Sequence, residues 1–408
     1  MARSELRREV LRSFGAGHSE IAELMEYGRS TFTGASSCPW ESLPLADDPA
    51  VDSWRRYADE AVECGAAATL RRSLIQLRFP IARGMSGTEA YQAATRRGVI
   101  DSLAPASGTA FVQPEGIEIL VHPTAAGHVP VIVAAAREDF VSLIHALTRR
   151  NEPVPIPDSM GACILAGYNN WDRVSTLRGA WQREHPMATS RDWAVAFDGL
   201  KRERSLYQDC FIVLSCGPYS ATPATDVGMP EDIWRSVSHL IRLEHECAHY
   251  FTRRVLGSMR NALIDELIAD HVGLIAATGH YRAGWVERFL GVDREDGWRP
   301  GGRLEAYRGT PALSDGAFVV LCRLVRAAVS NLAALDECWP DAAYGVMGLA
   351  RRIVTLSQLS VEELACDDAY TYVRQSWEVV HAGVDPASHF TARDHSNGNS
   401  LPAQRGCS

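Results

Sequence analysis

No stretch of the chain reaches the roughly 18 uncharged apolar residues that a membrane-spanning helix needs, so none is expected. The first twenty residues, MARSELRREVLRSFGAGHSE, have no apolar core that could serve as a secretion signal; Leu6, Val10, Leu11 and Phe14 fall on one helical face instead. Positive charge is also short. The net charge of -9 argues against a nucleic-acid binder, which normally shows a basic face. Lysine is almost missing, with Lys201 the single one, a bias of composition rather than of mechanism. The ten cysteines, Cys38 to Cys407, are scattered without a CxxC pair. That pattern reads as reduced, mostly buried thiols, and a cytoplasmic protein is expected. No internal repeat is present.

What is present suits a soluble globular protein with a sizeable core: 46% hydrophobic and 22% charged residues in 408. The length allows two or three domains, or one large two-lobed domain. The first hundred residues have helical patterns. In SGTEAYQAATRRG a capping box from Ser86 to Glu89 opens a helix that stops at Gly98. TAFVQPEGIEILVHPTAAGHVPVIVAAA holds β-branched runs broken by Pro and Gly, and predicts two or three strands. REDFVSLIHALTRR returns to helix. VPIPDSMGACILAGYNNWDR reads as a loop around a short buried segment, and DCFIVLSCGPYS as a strand followed by a loop. From Pro230 to about His381 the pattern is almost wholly helical. Three regions result: a mixed α/β part over 1–229, a helical part over 230–385, and a polar tail over 386–408 that is expected to be mobile.

The chemistry concentrates in MPEDIWRSVSHLIRLEHECAHYFTRRVLG. Pro230 suits a first helical turn, Glu231 and Asp232 favour the positive end of the helix dipole, and Gly257 is a natural stop. His245 and His249 then stand one turn apart on one face, where two imidazoles can grip a single Zn²⁺. Glu246 is rotated about 100° round the helix, toward a water at the metal rather than the metal itself. Catalytic zinc takes three protein ligands and keeps one position open. The following segment, NALIDELIADHVGLIAATG, reads as a second helix with Asn261 as cap and Gly279 as stop, and it carries Glu266 and Asp270 four residues apart. Glu266 could reach the metal. Asp270 could accept from the distal nitrogen of a ligating histidine and fix its tautomer.

HECAH followed by DELIAD resembles the HExxH…ExxxD pattern of the gluzincin zinc metallopeptidases. The resemblance covers about a tenth of the chain. It implies His245, His249 and Glu266 as zinc ligands, Glu246 as general base and Asp270 as the carboxylate behind a ligand. By position, CFIVLSC would be the edge strand along which an extended substrate lies. The sixteen residues between His249 and Glu266 are slightly fewer than in the best-known gluzincins, and no GAMEN motif is present. Thr252 and Val255 stand where the metzincin extension needs Gly and His. SMGACILAGYNNWDR and FPIARGMSGTEAY resemble segments of a bacterial family to which no activity is attached.

Other candidates have plainer readings. Cys247 points away from the histidine face and reads as a small buried residue. His271 is rotated off the Glu266 face. His122 and His128 lie in a strand-turn setting that favours structural or exposed roles. In YNNWDR, Asn169, Asn170 and Asp172 could line a pocket, but a turn capping a helix fits better. The expected fold is therefore α+β and zincin-like, with a mixed N-terminal half and small sheet packed on a mainly helical C-terminal half. The expected function is zinc-dependent hydrolysis of an amide, most simply a peptide bond. A small amide-containing metabolite as substrate, or a non-catalytic zincin-like binding protein, are the alternatives. Tyr281, His280, Tyr307 and His381 are candidates for stabilising the oxyanion. No nucleic-acid or membrane partner is expected, and the sequence leaves the oligomeric state open.

Overall fold

The computed structural model describes residues 3–29, 32, 38–99, 108–257, 263–294 and 297–381. The expected cap Asn261 and the tail 386–408 lie outside them. The described residues form a mixed α+β structure, mainly helical, with one small sheet. Helices α1 (Arg3–Ser13), α2 (His18–Tyr27), α3 (Val51–Cys64), α4 (Ala66–Ser73) and α5 (Glu89–Arg97) precede the first strands. Thr88, not Ser86, caps α5: its side chain accepts from the Tyr91 amide, and Gly98 ends the helix in the left-handed region. The turn Met85–Gly87 takes Ser86 out of capping range.

Two strands follow, β1 (Ile117–His122) and β2 (Val129–Ala134), then α6 (Arg137–Thr148). The segment expected to be a loop around a buried stretch is instead a strand, β3 (Ala162–Asn169), which runs into α7 (Trp171–Glu184) and α8 (Ser190–Leu200) before β4 (Gln208–Ser215). Asn170 accepts from the amides of Asp172 and Arg173, so YNNWDR is a helix cap. The spatial order is β1-β2-β4-β3, with β2 and β4 parallel and the outer pairs antiparallel. This overturns the placing of CFIVLSC at the edge. β4 lies inside the sheet, flanked by two partners, and β1 and β3 are the edge strands among the described residues. Continuous apolar character marks a buried strand, and β4 is buried along nearly its whole length.

Alternation across the pleat builds the two faces. Val131, Val133, Ile212 and Leu214 point into the larger core, shared with the helical half. Ile132, Ala134, Phe211 and Val213 point the other way, into a core closed by α3, α4 and α6. On the first face lie α9 (Glu231–Val255) and α10 (Leu263–Thr278), followed by α11 (Ala283–Leu290), α12 (Asp315–Ala334), α13 (Gly345–Ser357), α14 (Val361–Ala365) and α15 (Ala369–Val380). Helices α1 and α2 pack back onto α14 and α12. Helix α12 is long and apolar enough to cross a membrane by length and composition, but just over half of it, 56%, is buried inside the protein.

Pro230 is the N-cap of α9, Glu231 and Asp232 fill its first turn and Arg253 and Arg254 its last, each sign at the favourable end of the dipole. Helix α10 packs closely along α9. At Gly273 a β-carbon would sit 2.6 Å from the Ile241 carbonyl oxygen, so only hydrogen fits there. Gly273 is seven residues past Glu266 and lies on the same helical face. The close approach therefore draws Glu266 and Asp270 up against α9.

Candidate metal centre

Helix α9 aims His245 and His249 at the cleft, and α10 supplies the carboxylate opposite. The two Nε2 atoms are 3.2 Å apart. Glu266 places one oxygen 3.5 Å from His245 Nε2 and the other 3.6 Å from His249 Nε2. All three side chains are buried. Each imidazole is gripped from behind: His245 Nδ1 lies 3.0 Å from Asp270, and His249 Nδ1 lies 3.0 Å from Asp265. An ionised carboxylate only accepts, so each Nδ1 carries the proton. Both Nε2 lone pairs then face each other and a third acceptor, Glu266. Such a convergence is stable only around a cation or extra protons. Tetrahedral zinc with bonds of about 2.0–2.1 Å wants its donors about 3.4 Å apart. The observed separations of 3.2 to 3.6 Å bracket that value. The residues fit the ion.

A polar layer behind the two histidines sets their orientation. Tyr219 donates to Asp270 at 2.6 Å and lies 2.9 Å from His245 Nδ1. Burial, together with the charge of Asp270, keeps the proton on Tyr219. Arg303 pairs with the other oxygen of Asp270 and donates to Tyr219 and Ser220, each at 3.1 Å. Burial alone would raise the Asp270 carboxyl, but Arg303, His245 and Tyr219 outweigh it and hold the group below its ordinary range. Glu266 is likewise held down against burial by the bond and charge of His245 and the charges of His249 and Arg303. Sequence reading missed Asp265, Tyr219 and Arg303. Asp265 sits beside Glu266 in DELIAD and could have been read as the partner of a second histidine. Tyr219 had only its place after a strand. Arg303, 33 residues beyond Asp270, carried no signal.

The three converging side chains open into a cleft of about 460 Å³ lined by Glu246, Arg242, Tyr307 and the stretch Ser159–Ile164 at the start of β3. Glu246 is 9% exposed and stands beside the ligand face. Arg242 donates to the carbonyls of Ser215, Gly217 and Pro218, fastening the segment that carries Tyr219. At Gly161 a β-carbon would lie 2.5 Å from Arg242 Nε, so glycine lets β3 pass this side chain. Of the four oxyanion candidates, Tyr307 alone reaches the cleft. Burial and the neighbouring Glu266 hold its hydroxyl protonated. Tyr281 is buried against His271, His280 is exposed beside Asp336, and His381 packs on Trp40 and Trp377. His271 faces Arg352 at 3.1 Å, and His128 pairs with Asp47. Cys247 is buried, off the histidine face.

Two smaller effects follow from this geometry. Asp270→Asn keeps the shape but removes the charge that orders His245, and should weaken zinc affinity about 10 to 100-fold. Competition against a chromophoric chelator measures this, and wild-type affinity in the variant would rule out the orienting role. The second concerns pH. Burial depresses His245, yet the bonds and charges of Asp270 and Glu266 lift it from 6.5 to about 10 in the metal-free protein. The folded value lies above the unfolded one, so this proton stabilises the metal-free fold fully below 6.5, and the contribution is lost as pH rises through 10. A metal must displace that proton. Zinc affinity should therefore climb about tenfold per pH unit over this window. A flat affinity between about pH 6.5 and 8.5 would contradict the assignment.

No curated protein and no solved structure shows a significant match to the chain. One family model does match, over residues 9–368, and the chain therefore belongs to DUF7005, a family of unknown function.

Proposed function

We propose that the protein is a zinc-dependent hydrolase of zincin-like architecture that cleaves an amide, most simply a peptide bond. The observation that carries this reading is the convergence of His245 Nε2, His249 Nε2 and Glu266 in a cleft that also holds Glu246. Zn²⁺ bound there would activate water and polarise the scissile carbonyl. Glu246 takes the proton of the attacking water and passes it to the leaving nitrogen. The Tyr307 hydroxyl donates to the oxygen on which charge develops. Asp270 and Asp265 keep the imidazoles in the ligating tautomer, and Tyr219 and Arg303 hold Asp270 in place.

A small amide metabolite is the alternative substrate. The placing of β3 favours the peptide. Among the described residues this strand pairs with β4 alone, and its first residues line the cleft. Its outer edge, which pairs with no other strand among the described residues, could take an extended chain by backbone hydrogen bonds. The test is a turnover screen of zinc-loaded protein against a peptide library and a panel of small N-acyl compounds. Cleavage of peptides supports the proposal, cleavage of small amides alone moves it to the metabolite, and cleavage of neither leaves a binding protein.

A further inference from the structure

Helix α9 has a second chemical face. At about 100° per residue, His245, Glu246 and His249 occupy one side, while Glu244, Cys247, Ala248 and Phe251 occupy the opposite side. Behind that opposite side ends the outer strand β1, whose last residue is His122. His122 Nε2 lies 3.0 Å from a Glu244 oxygen. The Cys247 sulfur joins them, and the three donor atoms all lie within 4.8 Å of one another. Glu244 and Cys247 also line a small solvent pocket of about 30 Å³, bounded by α13 and the turn after β1. One water needs about 10–15 Å³ of such volume, so a solvent ligand has room beside Glu244 and Cys247.

We propose that His122, Glu244 and Cys247 form a second divalent-cation site, independent of the cleft, which ties α9 to the outer strand of the sheet. Helical spacing puts Cys247 beside Glu244, and the pairing of His122 with Glu244 brings an imidazole from the sheet within 4.8 Å of the same thiol. Imidazole, carboxylate and thiolate together suit a borderline-soft ion such as Zn²⁺ and disfavour Mg²⁺ and Ca²⁺. Ionised Glu244 and Cys247 supply two negative charges to match a divalent ion, the thiol proton leaving to solvent on binding. Donors around tetrahedral zinc with one sulfur stand about 3.4–3.6 Å apart. The present spacing, from 3.0 Å to at most 4.8 Å, closes to that with small side-chain rotations. The ion would brace the back of the helix whose front carries His245 and His249. This inference does not rest on the proposed hydrolase activity.

Cobalt separates the two sites. The three donors that converge in the cleft are nitrogen and oxygen, whereas the second site adds the Cys247 sulfur, and thiolate-bound Co²⁺ shows an intense near-ultraviolet charge-transfer band. Cys163, which also lines the cleft, is controlled for by the Cys247→Ser and His245→Ala/His249→Ala variants. Titration of the metal-free full chain with Co²⁺ should develop that band. His245→Ala/His249→Ala should retain it, Cys247→Ser should lose it, and His122→Ala should weaken the underlying affinity roughly tenfold or more. No band in the wild type at saturating Co²⁺, or a band that survives Cys247→Ser, overturns the proposal. If Cys247→Ser does not fold, His122→Ala decides: its residue ends an outer strand and is partly exposed, and an unchanged titration in that variant is equally fatal.

Discussion

Alanine at both His245 and His249 is expected to remove one zinc ion per chain. These side chains supply two of the three donors that meet within 3.6 Å in the cleft. Glu266 alone, a single carboxylate, cannot hold the ion. Apparent binding free energies for protein zinc sites with full donor sets are about 10–16 kcal/mol, so loss of two donors empties the cleft at micromolar metal. Elemental analysis of wild type and double variant, purified without chelator, gives the difference directly. An ion retained on the back of α9 leaves that difference intact. Equal zinc content in the two proteins would sink the cleft as a metal centre. The variant also leaves Asp265, Glu266 and Asp270 with fewer partners in a buried setting, so circular dichroism must first establish that it folds.

Replacement of Glu246 by glutamine is expected to reduce turnover by about 10² to 10⁴-fold, equivalent to about 2.7–5.4 kcal/mol of transition-state stabilisation. Glutamine keeps the size and polarity of the side chain but cannot take a proton from water at neutral pH. Glu246 is not one of the three converging donors, so zinc content should equal that of wild type. This sets it apart from the histidine variant, which loses metal and activity together. The assay uses whichever peptide or N-acyl compound the zinc-loaded wild type turns over. Equal rates for the two proteins would falsify the general-base role and leave the ion as a binding or structural feature.

Much of the candidate metal centre was legible in the residue order because it rests on helical periodicity. A spacing of four puts His245 over His249 and Glu266 over Asp270 whatever surrounds them. The two glycine stops also follow from local backbone chemistry: Gly257 and Gly279 both adopt positive φ just beyond α9 and α10. Strand position is different in kind. CFIVLSC reads as a strand and ACILAGYN as a buried stretch within a loop, and nothing local says that the second is also a strand or which of the two has two neighbours. Only pairing between segments that are distant in sequence puts β4 inside the sheet and β3 at its rim. The same holds for Tyr219, Asp265 and Arg303. Their roles come from meeting His245, His249 and Asp270 across helix and loop contacts, where sequence separations of 16 to 51 residues leave no periodic trace. Periodicity, caps and stops belong to the chain itself. Edge, interior and the layer behind the two histidines exist only once α9 has closed against the sheet and α10 against α9.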